Sequence, residues 1–304
     1  MRKVKVVSIT GAGRSGSTIL DNVLGGVEGA FSAGELRYLW QRGLIEQRKC
    51  GCSNPLPECE LWPSILERAF PEGIDAKRVA ADMKYVRTRY TPGASLRSLR
   101  GVYRNRLAPL VGVLDKLYPA IAAETGARFI VDSSKLPTYT YLLTMVPSID
   151  VRIVHLIRDP RAVAHSRARR KEQLDTAERR AMTQTGPRRS AADWLIWNTT
   201  IRRLFGRGNN PYMMLRYEEL ISEPTASIER VLEIADEQGS DISHIAGHEV
   251  ALAGNHTVSG NPGRFQTGTI TLALDEAWRR DMSDKDRKTV ERITRPALRS
   301  FGYQ

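Results

Sequence analysis

The sequence predicts an α/β fold in which helices flank a mostly parallel sheet. Three features carry that expectation: apolar, β-branched runs of strand length, a glycine-rich turn directly after the first of them, and helical segments separating one run from the next. Val4 to Ile9 is the first run; it ends at Gly11-Ala12-Gly13, and Ser17 to Leu24 then reads as a helix. From Gly34 to about Gly126 no clear strand is legible, and helix-like segments with several prolines suggest a mainly helical insertion, residues 34–126, covering one end of the sheet. Arg128 to Ser133 and Val151 to Ile157 are near-continuous apolar runs of the kind buried on both faces, joined by a helix from Pro137 to Met145. A helix from Ala191 to Phe205 leads to a fourth strand, Tyr212 to Tyr217, and a further helix runs from about Pro224 to Asp236. Without repeats or low-complexity tracts, residues 1–304 read as a single domain.

Composition narrows the partners. With 41% hydrophobic and 26% charged residues the chain can bury a sizeable core, which excludes a disordered protein. The opening apolar stretch is too short for a signal peptide, and no later run approaches the roughly 20 apolar residues of a membrane span, so a cytoplasmic location is expected. A net charge of +12 points to an anionic partner. Nucleic acid is disfavoured, because aromatics are only 7% and do not interleave with the basic residues. In the dense basic stretch from Arg158 to Arg189, the residues after Ser166 (Arg167, Arg169, Arg170 and Lys171 among them) read as a solvated helix face.

Cys50, Cys52 and Cys59 fall within ten positions. A structural zinc ion wants four Cys or His ligands and no histidine is near in sequence, so buried free thiols are the expectation and no metal is assigned. A disulfide between Cys59 and Cys50 or Cys52 is sterically conceivable, though a reducing compartment argues against it.

Gly11-Ala12-Gly13-Arg14-Ser15-Gly16-Ser17-Thr18 keeps the spacing of a phosphate-binding loop, with glycines that let backbone N–H groups approach an anion at a helix start. Ser17 stands where nucleoside triphosphatases carry lysine; the loop's cation is Arg14 instead. A second constellation lies at Arg158-Asp159-Pro160, where an arginine follows a strand, Pro160 opens a helix, and Ser166 sits two turns in.

Together these segments resemble the sulfotransferases that use 3'-phosphoadenosine-5'-phosphosulfate (PAPS), which share a P-loop nucleotide-kinase-like three-layer fold and work without metal. The resemblance implies that Gly13, Arg14, Ser15, Gly16, Ser17 and Thr18 hold the 5'-phosphosulfate, and that Arg158 and Ser166 clamp the 3'-phosphate. Arg216-Tyr217-Glu218-Glu219-Leu220 is similar to a family segment whose tyrosine lies against adenine, a role passing to Tyr217. His256 to Phe265 resembles a late loop that closes over the nucleotide, which brings in Asn261 and Arg264.

For catalysis, Arg14 suits charge stabilisation on the leaving phosphate, since arginine holds its proton too tightly to act as an acid. Glu35 is the favoured base: carbohydrate-type members place a glutamate comparably, and burial is expected to raise its pKa toward neutrality. Lys135 is the rival, at the strand end where phenol-sulfating members carry a basic segment with a histidine; here Ser134 replaces that histidine. His155 is expected in the core and His165 on a helix surface. The acceptor side is expected in the insertion, and the resemblance implies a carbohydrate or glycolipid hydroxyl, or an amine. The alternative is a nucleotide kinase or NTPase of the P-loop type.

Overall fold

The computed structural model describes residues 3–170, 172–176 and 180–304, so Lys171 of the basic stretch lies outside the described residues. Five strands form the central sheet: β1 (Val4–Thr10), β2 (Ala30–Gly34), β3 (Phe129–Lys135), β4 (Ile149–Ile157) and β5 (Tyr212–Arg216). Their spatial order is β2-β3-β1-β4-β5 and each neighbouring pair is parallel. The expected α/β fold, with helices covering a parallel sheet in three layers, is what forms.

Because side chains alternate along a strand, each strand feeds two cores. Val6, Ile130, Val151 and Ile153 face one way, against the long helix α2 (Arg97–Thr125) and α3 (Pro137–Leu143). Val7, Val131, Val154 and Leu156 face the other, against α1 (Ser17–Gly25) and α6 (Pro224–Ile234). Leu20, Val23 and Leu24 of α1 are fully buried, each contributing on the order of 1.5–3 kcal/mol of burial free energy. Between β4 and β5 run α4 (Pro160–Ala168) and α5 (Pro187–Phe205), and α7 (Asp284–Leu298) packs on α5 near the C-terminus through Ala297 and Leu298 beside Trp194.

Two expectations change. The sheet has a fifth strand, β2, that the sequence hides: Ala30-Phe31-Ser32-Ala33-Gly34 is poor in strand-forming types, and its pairing with β3 holds it extended. The helical insertion packs largely on a sheet face, and only its first residues reach the carboxyl edge. In α2 the buried Leu107, Leu110, Leu114, Leu117 and Ile121 recur every three or four positions, a stripe that a sheet face can bury along its whole length. Among the described residues no helix is long and apolar enough to cross a membrane.

Candidate active site

The carboxyl edge of the parallel sheet is where chain reversals leave a crevice, and every strand delivers a chemically able residue there. Arg14 follows β1, Glu35 follows β2, Lys135 ends β3, Arg158 follows β4 and Tyr217 follows β5. All five line one cavity of about 730 Å³.

The loop after β1 forms part of its lining. No side chain caps α1, and the first helical donor is the Leu20 N–H, to the Gly16 carbonyl at 3.1 Å. The amides of Ser17, Thr18 and Ile19 therefore lack helical partners, as at any helix start. Gly16 is left-handed at φ 90°, and a Cβ there would collide with the Tyr217 ring, so loop and tyrosine fit only through a glycine. Gly13, Arg14, Gly16, Ser17 and Thr18 line the cavity. Ser15 does not; its side chain is buried, and its Oγ finds no hydrogen-bond partner among the described residues. Arg14, also left-handed at φ 73°, has its pKa lowered by burial and by Arg167 and Arg169, with Glu35 opposing. It stays cationic near neutrality.

Beside this loop Arg158 is only 6% exposed, and its guanidinium donates to the Arg14 carbonyl at 3.4 Å. The same guanidinium lies 4.3 Å from the centroid of the Tyr217 ring and donates to the Asp275 carbonyl at 2.8 Å, with the Asp275 carboxylate 3.4 Å away. Asp159, its sequence neighbour, is taken up by Arg161 and by capping α4. Ser166, buried on α4, lines the cavity beside them.

Glu35 and Lys135, rivals in the sequence, are partners in the structure: Lys135 Nζ donates to Glu35 Oε1 at 2.6 Å. Burial pushes the Glu35 carboxyl up, but Lys135, Arg37 and Arg42 outweigh it, so its pKa lies below the ordinary glutamate value. The expected upward shift is corrected, because burial here brings the carboxylate to three cations as well as away from water. Lys135 holds a left-handed backbone at φ 68°, and its carbonyl accepts from Gly11 N–H at 3.0 Å and Thr10 Oγ1 at 2.8 Å, tying β3 to the phosphate-type loop.

The late loop docks on this assembly. Asn261 N–H donates to Thr18 Oγ1 at 3.3 Å, and Asn261 lines the cavity. Arg264 does not: it is 1% exposed and its guanidinium donates to the carbonyls of Thr257 and Lys49, each at 2.6 Å. With the Asp175 carboxylate 4.0 Å away as well, its guanidinium is taken up in fastening the loop, which removes it from the expected nucleotide contacts.

The histidines separate. His155 is fully buried between Tyr212 and Asn198, and desolvation lowers its pKa to about 4, so it is a core residue. His165 is half-buried rather than on an open surface. His256 corrects another expectation. It is remote in sequence from the three cysteines, yet its Nδ1 lies 3.2 Å from Cys59 Sγ. All three cysteines are free thiols, so neither conceivable disulfide forms.

Sequence reasoning missed several lining residues. Tyr38 and Arg42 come from the insertion, with the Arg42 guanidinium 3.6 Å from the Tyr38 ring centroid. Arg167, Gln173, Met182, Thr183, Thr185 and Trp197, all outside the insertion, line the cavity as well. Arg167 was expected on a solvated face; it borders the cavity and pairs with Asp193 at 3.1 Å. Asp275 gave no local signal, because only the fold carries it to Arg158.

The profile of the Sulfotransferase family matches residues 7–241, and the chain belongs to that family. It is similar in fold to the sulfotransferase domain from the curacin biosynthetic pathway, at 16% identity and a TM-score of 0.53 with all of both chains covered. A sulfotransferase from Mycobacterium avium is similar at 11% identity and a TM-score of 0.50, covering 100% of this chain and 78% of that one. No curated protein matches the sequence. The chain is thus a sulfotransferase with the P-loop-kinase-like fold, which displaces the kinase alternative.

Proposed function

We propose that the chain transfers the sulfuryl group of PAPS to a hydroxyl acceptor, a carbohydrate or glycolipid, without a metal at the reacting centre. The observation that carries this reading is the delivery of one functional side chain from each of five strand ends to one cavity. Arg14, Ser17, Thr18 and the open amides of α1 suit the 5'-phosphosulfate, while Arg158, Ser166 and Tyr217 suit the 3'-phosphate and adenine. Acidic lining is limited, among the described residues, to Glu35 and Asp275, each already paired with a cation, a poor set for magnesium.

In the proposed step the acceptor oxygen attacks sulfur in line, the bond from sulfur to the 5'-phosphate oxygen breaks, and that phosphate leaves with the electron pair. Glu35 takes the acceptor's proton; Lys135 holds the carboxylate in place and Arg14 stabilises the departing charge. A sugar-type acceptor is supported by Glu35, by the Tyr38 and Trp197 rings, and by Gln173, Thr183 and Thr185 on the wall. The resemblance of the late loop no longer supports it through Arg264.

The test is transfer of labelled sulfate from PAPS to panels of sugars, glycolipids, amines and simple phenols, with and without magnesium. Magnesium-independent labelling of sugars or glycolipids is expected. Labelling of phenols alone would overturn the acceptor class, and strict magnesium dependence the proposed chemistry.

A further inference from the structure

Four side chains from three chain segments, none of them lining the cavity, converge at one point. Cys50 and Cys52 lie in one tight turn, where Ser53 N–H donates to the Cys50 carbonyl at 2.9 Å; Cys59 opens the segment leading to Trp62; His256 begins the late loop. The three Sγ atoms and one imidazole nitrogen all lie within 4.8 Å of one another. Around a tetrahedral zinc ion with thiolate bonds of about 2.3 Å, ligand atoms stand roughly 3.8 Å apart, so the cluster already has nearly the right size. The sulfurs are unbridged, and Cys50 and Cys59 are buried.

Around the four side chains the structure supplies the outer contacts that metal ligands commonly have. With Nδ1 turned to the sulfurs, the other ring nitrogen of His256, Nε2, lies 3.4 Å from the Glu60 carboxylate, an acceptor that would fix the tautomer leaving Nδ1 free to ligate. Leu61 N–H reaches Cys59 Sγ at 3.5 Å, and Trp62 Nε1 donates to the His256 carbonyl at 2.7 Å. Gly51 lets the turn pass so close to Asn255 that a Cβ would lie 2.7 Å from the Asn255 carbonyl oxygen. Its N–H donates to the Thr257 carbonyl at 3.0 Å, a backbone bond that already holds the histidine's loop against the cysteine turn.

We propose that Cys50, Cys52, Cys59 and His256 form a structural site for one zinc ion, closed by four protein ligands and separate from the reacting centre. Each thiol yields its proton to solvent on ligation. The ion staples the insertion to the loop that carries Asn261 into the cavity, so its role is to hold the late loop over the nucleotide side. Soft thiolates with one imidazole select zinc over magnesium or calcium, and the absence of an open ligand position keeps it out of the chemistry.

The test is the zinc content of the full-length protein, purified under reducing conditions and freed of any affinity tag. About one zinc ion per chain is expected, persisting through dialysis, with visible ligand-field bands when cobalt replaces it. Cys50→Ser and His256→Ala are expected to lower the content about tenfold or more, while His256→Cys, which restores a four-thiolate set, retains it. The wild-type measurement does not depend on any variant folding. Reduced wild-type protein that carries no zinc and takes up none from zinc chloride against a chromophoric chelator overturns the proposal. So does zinc that survives in Cys50→Ser and His256→Ala alike, which would place the ion elsewhere.

Discussion

Lys135 Nζ stands 2.6 Å from Glu35 Oε1, and that pair joins the ends of two neighbouring strands on the wall of the cavity. The lysine favours the charged carboxylate and fixes its rotamer, so two residues that compete for one role in the sequence are bonded partners in space. Glu35→Gln preserves shape and loses the proton acceptor. It is expected to leave the affinity for PAP, the desulfated product, within about twofold while turnover falls by about 10²-fold or more. Calorimetric PAP titration beside sulfate-transfer rates checks this, and full turnover in the variant would remove Glu35 from the mechanism.

The same pair sets a pH dependence. Burial raises the Glu35 pKa, but Lys135, Arg37 and Arg42 bring it below the ordinary glutamate value. A depressed folded-state pKa means that the carboxylate's contribution to stability is present above that ordinary value and is lost only as pH falls through the folded one. The acid limb of kcat/KM should likewise lie below the ordinary glutamate range. Lys135→Met removes a nearby cation and leaves burial in place, so the limb is expected to move up in pH. A profile that stays put would show that another group titrates.

Arg158 offers a separate test, of the proposed contact with the 3'-phosphate. It is nearly buried, leans on Tyr217 and is held by Asp275, so its position is fixed before any anion arrives. Arg158→Ala is expected to weaken PAP by roughly 2–4 kcal/mol, while a nucleotide lacking the 3'-phosphate loses much less. Titration of the variant with both ligands reads the difference. An unchanged preference for PAP would overturn the assignment of the 3'-phosphate.

Much of this site was legible because its residues sit in short segments tied to strand ends: the loop around Arg14, the Arg158 and Ser166 pair, and Tyr217 all land on the cavity. What escaped was set by tertiary contact. Strand β2 has little intrinsic strand preference, and β3 makes it a strand. Arg264 carries the same charge facing a ligand or facing carbonyls, and only packing tells the two apart. His256 lies 197 residues from Cys59, so no spacing rule joins it to the cysteines. The downward shift of Glu35 needed three cations from different positions to be counted against burial.

Gly16 provides a test of how the loop is built, independent of catalysis. Its φ of 90° is one that side chains rarely adopt, and the space where a Cβ would stand is filled by the edge of the Tyr217 ring. Gly16→Ala therefore adds a backbone penalty of about 1 kcal/mol to overpacking of roughly 1–3 kcal/mol. The second part is shared with the ring, so the pair should not be additive. Tyr217→Ala opens the space, and Gly16→Ala made in that background is expected to cost only the backbone part. Urea unfolding of the two single variants and the double variant measures the coupling. Equal costs for Gly16→Ala in both backgrounds would show that loop and ring are not in contact, and that Tyr217 is positioned by something other than the glycine.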